Sequence, residues 1–406
     1  MTKSAFSSVE LAPRDPILGV TEAFRADTRA GKTNLGVGVY TDEQGKLPLL
    51  DAVRQAEDLI VAKHMPRGYL PIEGLNGYIE QVQELLFGPG SPVLDAGRVA
   101  TFETLGGTGA LKVAADFLHR LVPGAKAWIS RPSWENHRAL LDYAGFEVAE
   151  YPYYDPATHG LDFAAMMNAI KTAPAGDVIV LHACCHNPTG VDLSETQWRE
   201  VIEVCRERAL IPLLDMAYQG FGDGSEPDAL ALRLFVDSGQ SLLVANSFSK
   251  SFSLYGERVG ALSIVTTDRD ETARVTSQVK RVIRTNYSNP PTHGGSIVAT
   301  VLGTPALRQT WDQELARMRN RIRAMREGLV ARLDQQMRER GIHRSFAFIA
   351  QQRGMFSFSG LTSAQVDHMR DHHAIYAVAS GRICLAAVNE GNIDLVASAM
   401  ADAIVS

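Results

Sequence analysis

Cysteine is scarce in this sequence: four in 406 residues, at Cys184, Cys185, Cys205 and Cys384. None forms a Cys-x-x-Cys pair, so neither a zinc ribbon nor a thioredoxin-type site is indicated. Two are adjacent, and neighbours along a strand point to opposite faces. So few thiols in a long chain suit a reducing compartment. Long apolar runs are missing too. No stretch approaches the roughly 18 apolar residues of a membrane span. The segment Met1 to Glu10 holds no apolar core of signal-peptide length. A soluble, cytoplasmic protein is the expectation. Positive charge is not in excess, since 40 Lys+Arg against 46 Asp+Glu leave a formal charge of −6. A phosphate backbone rewards a basic face, so nucleic acid is not the partner this composition favours. There is no internal repeat and no low-complexity tract. Two nucleotide signatures also fail. Gly31-Lys32-Thr33 lacks the earlier glycine of a phosphate-binding loop, because position 26 is Ala26. A dinucleotide fingerprint read from Gly107 would need glycine where Lys112 stands.

What is present is an ordinary globular balance, 45% hydrophobic and 21% charged. The length suggests two or three domains at roughly 150 residues each. Short apolar runs predict strands over Arg98–Thr104, Ala127–Arg131, Phe146–Tyr151, Val178–Ala183, Ile211–Met216, Leu242–Ser247 and Val259–Val265. Helical patterns lie between them, among them Ala110–Leu121, Ser194–Arg208 and Asp270–Ile283. Ser194-Glu195-Thr196-Gln197 reads as a capping box. This alternation predicts an α/β fold, a mostly parallel seven-stranded sheet covered on both faces. One long amphipathic helix is expected from Pro305 to about Arg340. Beyond it, strand signals (Met355–Phe358, Ile383–Ala387) and helices (Ser363–Asp371, Asn392–Ile404) make a small α+β unit. The expected division is a large domain over 46–320 and a small one from both chain ends, 1–45 and 321–406.

In such sheets ligands bind outside the carboxyl ends of the strands. Thr104-Leu105-Gly106-Gly107-Thr108-Gly109 follows the first strand and opens a helix. It reads equally as a phosphate cradle or as a tight turn. His186-Asn187-Pro188-Thr189-Gly190 follows the fourth strand and offers Asn187 to a ligand. Asp215 ends an apolar strand, where an unpaired carboxylate is costly. It reads as a backbone-bonded buried acid or as the partner of a cationic ring nitrogen. Lys250, in Ser247-Phe248-Ser249-Lys250, stands among serines and aromatics. Desolvation there would lower its pKa and expose a nucleophilic amine. Arg258 is a surface charge or a phosphate clamp. Together they make the set that pyridoxal 5'-phosphate chemistry asks of a protein: a lysine, a carboxylate for the pyridinium and a phosphate site. No metal site is expected.

The ordered motifs Tyr69-Leu70-Pro71-Ile72-Glu73-Gly74-Leu75, Cys185-His186-Asn187-Pro188-Thr189-Gly190, Asp215-Met216-Ala217-Tyr218-Gln219-Gly220-Phe221, Ser247-Phe248-Ser249-Lys250 and Asn286-Tyr287-Ser288-Asn289-Pro290-Pro291 give the chain a family resemblance. It resembles fold-type I aminotransferases of the aspartate and aromatic-amino-acid subgroup, nearly end to end from Asp15-Pro16-Ile17-Leu18. The resemblance implies that Lys250 holds the cofactor as an internal aldimine and later shuttles a proton. Asp215 would pair with the pyridinium nitrogen. Tyr218 and Asn187 would bond the phenolic oxygen, and Trp134 would stack on the ring. His137 would support Asp215, and His182 with it; both read equally as packed core histidines. Gly107, Thr108, Ser247 and Arg258 would hold the phosphate. Arg382 would bind the substrate α-carboxylate, with Gly38, Trp134 and Asn187 beside it. Arg284 would bind a side-chain carboxylate. The family implies that Tyr69 and Arg284 come from a second subunit, hence a homodimer with composite sites.

The loop Gly106-Gly107-Thr108 departs from aspartate-specific members, which commonly carry serine at the position of Gly106. Together with Trp134-Glu135-Asn136-His137, it resembles bacterial aromatic-amino-acid aminotransferases more closely. The implied reaction moves an amino group from tyrosine, phenylalanine or aspartate to 2-oxoglutarate, ping-pong through a pyridoxamine phosphate form. The alternative is an aspartate aminotransferase with strict dicarboxylate specificity. Decarboxylation or β-elimination on the same fold is disfavoured by two carboxylate-binding arginines. A non-catalytic role is disfavoured by the retained lysine and carboxylate.

Overall fold

The computed structural model describes residues 4–12 and 17–406. Asp15 and Pro16, which carry part of the family resemblance, lie outside the described residues, as do Met1, Thr2 and Lys3. The seven expected strands are present: β1 (Val99–Leu105), β2 (Lys126–Arg131), β3 (Glu147–Pro152), β4 (Val178–His182), β5 (Ile211–Met216), β6 (Leu242–Ser247) and β7 (Val259–Val265). They form one seven-stranded sheet in the order β1-β7-β6-β5-β4-β2-β3. Four neighbouring pairs are parallel, and β7 runs antiparallel to both of its neighbours. The parallel strands β4 and β6 are buried along their whole length, as parallel strands under helices must be, and the antiparallel β7 is buried likewise.

Two apolar layers sandwich the sheet. On one face Phe102, Ile129, Val180, Leu213, Ala245 and Leu262 pack with helix Gly106–Leu121. On the other, Leu181, Leu214, Met216 and Val244 join a larger core with helices Glu195–Glu207 and Thr292–Gly303. The period-two alternation of strand side chains divides these residues between the faces. Ser194 caps its helix through the expected box, accepting from Gln197 N–H while Gln197 returns to Ser194 N–H.

The long helix runs Pro305–Glu339. Leu315, Met318, Ile322, Met325, Leu329 and Leu333 are all buried along it. It packs on Asp51–Ala62, Thr292–Gly303 and the last helix, Ile393–Val405. Among the later elements, Phe356–Phe358 pairs antiparallel with Arg382–Cys384. The expected strand over Ile383–Ala387 is shorter, because Leu385–Ala387 turns into a 3₁₀ segment. From the other end of the chain, Thr33–Asn34 pairs in parallel with Ile375–Tyr376. No described helix is long and apolar enough to cross a membrane.

Candidate active site

One end of the sheet gathers the chemistry. β1 delivers Gly106 to Thr108, β2 leads to Trp134, β4 leads to Asn187, β5 ends at Asp215 and Met216, and β6 leads through Ser247 to Lys250. These are carboxyl ends. β7 is reversed, so its amino end lies there, and Arg258 stands immediately before it. The register brings them together: Leu105 opposite Val259, Ser247 opposite Gly260, His182 opposite Asp215. A cavity of about 490 Å³ opens over this rim. Gly38, Gly107, Thr108, Trp134, Asn187, Asp215, Tyr218, Ser247, Lys250, Arg258 and Arg382, all expected from the sequence, line it. Tyr69 and Arg284 do not. Tyr69 is 96% exposed, and Arg284 is exposed, bonded to its neighbour Ser288 Oγ.

Asp215 is anchored before any ligand arrives. Its Oδ2 lies 2.8 Å from His137 Nε2. A carboxylate only accepts, so the imidazole Nε2–H donates. His137 Nδ1 is in turn 2.9 Å from Ser133 Oγ. Burial pushes the Asp215 pKa up, but the His137 hydrogen bond and the electrostatic pull of the surrounding basic groups, Lys250 among them, outweigh it, so the net shift is downward. Asp215 therefore stays ionised at neutral pH. His182 packs beside His137, with ring centroids 5.0 Å apart. Burial first, and then His186 and His137, hold its pKa well below the usual value.

The Lys250 amine takes part in no hydrogen bond or ion pair among the described residues, its backbone carbonyl alone accepting Ser253 N–H at 3.1 Å. Its Nζ stands 4.8 Å from the centroid of the Tyr218 ring. Desolvation lowers its pKa to about 8; Arg258 and Arg382 add to that, and Asp215 opposes it. A larger fraction of free amine is available near neutral pH than an exposed lysine would give. Tyr218 hydroxyl accepts from Asn187 Nδ2 at 3.4 Å. Arg382 is 1% exposed. Its Nη1 donates to Asn187 Oδ1 at 3.2 Å, its Nη2 donates to Gly36 O at 2.7 Å, and the guanidinium lies 4.4 Å over Phe356.

Over residues 30–400 the sequence matches the family described as "Aminotransferase class I and II". The chain belongs to that family. It is 58% identical to "Aspartate aminotransferase" of Pseudomonas aeruginosa, across 98% of this chain and 99% of that one. It is 50% identical to "Aromatic-amino-acid aminotransferase" of Escherichia coli K12, across 98% and 99%. A crystal structure of aromatic-amino-acid aminotransferase from Burkholderia pseudomallei, covalently bound to pyridoxal phosphate, superposes with TM-score 0.96 at 62% identity, covering 99% of this chain and 100% of that one.

The rim of this aminotransferase chain fits a phosphorylated pyridine aldehyde on its own terms. The buried His182 Nε2 and Asn246 Oδ1 have no partner among the described residues, and the Lys250 amine faces the same cavity as the Asp215 carboxylate. The cradle has a steric reason for its first glycine. Gly106 has φ +68°, and a Cβ there would come within 2.7 Å of Arg258 Nη2. Glycine at 106 thus lets the helix start directly beneath the guanidinium. That requirement is local to backbone and arginine, so it weighs less as a mark of substrate preference than the sequence comparison of Gly106 with serine implied.

Sequence reasoning missed several lining groups. Tyr255 hydroxyl accepts from Tyr40 N–H at 2.9 Å and lines the cavity. Phe356 lies under Arg382, and Glu135 faces it. Phe356 and Tyr255 carry no local motif that would have flagged them. Cys184 and Cys185 lie beyond the end of β4, so the strand rule of opposite faces does not govern them. Their sulfurs and an Asp228 oxygen all fall within 4.8 Å. That carboxylate is already committed to the N–H groups of Gly220, Gly222 and Asp223.

Proposed function

We propose that this chain transfers an amino group between an aromatic amino acid, aspartate or both and 2-oxoglutarate, using pyridoxal 5'-phosphate. The observation that carries this reading is a desolvated lysine in one cavity with an ionised aspartate and two arginines. Bound there, the cofactor would supply a ring that withdraws electrons from the substrate Cα. Gly107, Thr108, Ser247 and Arg258 would hold its phosphate, and Trp134 would hold its ring. Asp215 would keep its ring nitrogen protonated, and His137 keeps Asp215 charged and oriented. Tyr218 and Asn187 would hold its phenolic oxygen. The Lys250 amine would take the proton from substrate Cα and hold it as an ammonium, acting as the general base of the reaction. Arg382 orients the substrate by its α-carboxylate, with Gly38 leaving room opposite. One site serves both half-reactions, so the kinetics are ping-pong.

The active form is a homodimer. Exposure of Tyr69 together with Leu49 and Met65 supports this, as does the placing of Arg284 outside its own chain's cavity. The partner's copies of Tyr69 and Arg284 complete each site. The two units, 46–320 and 1–45 with 321–406, form the domains, and closure of the smaller brings Gly38 and Arg382 to substrate. Four free, buried cysteines support a cytoplasmic location.

The test is a panel of phenylalanine, tyrosine and aspartate with 2-oxoglutarate, compared by kcat/KM. All three are expected to react; no reaction with any of them overturns the reading. Reaction of aspartate alone favours the strict dicarboxylate alternative. Arg382→Lys keeps the charge but loses the planar fork, and should raise KM for every amino acid about tenfold. Steady-state kinetics check this, and an unchanged KM would place the α-carboxylate elsewhere.

A further inference from the structure

Arg382 is a buried cation without a hydrogen-bonded carboxylate. Among the described residues, the one carboxylate within 4.0 Å is Glu135, whose Oε2 lies 3.7 Å from Arg382 Nη1. That is an ion pair beyond hydrogen-bond reach. Both partners carry unmet polar atoms: among the described residues, the buried Glu135 Oε2 and Arg382 Nε have no hydrogen-bond partner. Glu135 is the first residue of helix Glu135–Tyr143 and follows Trp134 directly, so it is fixed at the lip of the cavity. Its side chain is 28% exposed, which leaves it a path to water.

We propose that Glu135 is the resident counterion of Arg382 in the empty enzyme and a charge filter on the substrate. It offsets a buried guanidinium that would otherwise be uncompensated. An incoming α-carboxylate takes over Arg382, and Glu135 yields toward solvent. Its negative charge remains at the lip. A second carboxylate on the substrate meets that charge, whereas a neutral aromatic ring does not. Glu135 therefore weakens binding of every amino acid somewhat, and of dicarboxylates most. It is a positioning residue, acting through Arg382 and through its field. The inference deepens the reading of the site given above and rests on it.

The experiment compares wild-type and Glu135→Gln holoenzyme. Removing one partly exposed ion pair should lower KM for phenylalanine about threefold, and removing the repulsion as well should lower KM for aspartate about tenfold, with kcat within about twofold. Succinate and 3-phenylpropionate, titrated as unreactive probes by cofactor absorbance, should both bind more tightly, succinate by the larger factor. An unchanged or raised KM for both amino acids overturns the proposal, and so does an equal gain for the two probes. Glu135→Asp keeps the charge but draws it back from Arg382, and its KM values should fall between the other two. If Glu135→Gln does not fold, Glu135→Asp decides: KM lowered for aspartate supports the proposal, and KM unchanged overturns it. A wild type that reacts with neither amino acid would sink the transaminase reading itself. A reactive wild type with an indifferent Glu135→Gln sinks only the counterion role.

Discussion

Lys250→Ala is expected to lower kcat for every amino acid by a factor of at least about 10⁴, because it removes both a nucleophile and a positioned general base. Among the described residues, no other amine lines the cavity. The loss would come with little change in fold, since the lysine side chain makes no hydrogen bond or ion pair among the described residues and the backbone bond from Ser253 N–H to Lys250 O survives the substitution. Lys250→Arg separates charge from chemistry. It restores a cation beside Asp215, but a guanidinium stays protonated near neutral pH, so kcat should remain low. Steady-state turnover, with circular dichroism as the folding control, checks both variants. Turnover above about 1% of wild type in Lys250→Ala would exclude this lysine from the proton transfer.

The second large effect is on stability and arises away from the cavity. Glu103 lies on β1, just before the cradle, and is 2% exposed. Its Oε2 accepts Leu75 N–H at 3.1 Å. Gly295 makes room for the other oxygen, since a Cβ there would come within 2.0 Å of Oε1. Burial pushes its pKa up to about 7, against the small opposing effect of the Leu75 bond. The folded chain therefore holds this proton more tightly than the unfolded chain. The stability contributed by the neutral carboxyl is complete below the unfolded value of about 4.5 and is lost as pH rises from there through about 7, a loss of about 3 kcal/mol. Glu103→Gln keeps the shape and cannot ionise. The difference in thermal midpoint between Glu103→Gln and wild type should widen in favour of the variant from pH 5 to pH 8. A difference that stays constant across that range would mean the carboxyl does not titrate there.

How much of this was legible beforehand varied with the kind of signal. The strands were readable because each is a short apolar run ended by polar or glycine residues, and β5, β6 and β7 match their expected bounds. Helix starts were less clear. Helix Gly106–Leu121 begins four residues before the expected Ala110, because glycines there answer to the cradle rather than to helix propensity. The lining residues that belong to dense motifs, from Asn187 to Lys250, all reach the cavity. Phe356 and Tyr255 were not legible, since they touch the site through strand pairing and loop packing over long sequence separations. Glu135 was read as part of a family signature, but its facing Arg382 is a contact between residues far apart in the chain. The pairing of Glu103 with Gly74 and Gly295 is likewise tertiary. No spacing rule announces a buried acid caged by distant glycines.

The reversed direction of β7 has a consequence for how the chain could be rebuilt. A parallel neighbour needs a crossover of about a dozen residues or more, usually a helix, before the next strand begins. The antiparallel return from β6 to β7 runs through the loop 248–258 with no intervening helix, and that loop carries Lys250 near one end and Arg258 at the other. The amine and the guanidinium are therefore tied to adjacent strands whose hydrogen bonds set the distance between them. This stretch behaves as a gauge, a fixed length clamped at both ends. Insertions there should be the least tolerated of any loop on the rim. Conversely, β6, the loop and β7 form a cassette that carries two anchors in register, and could be grafted as one piece.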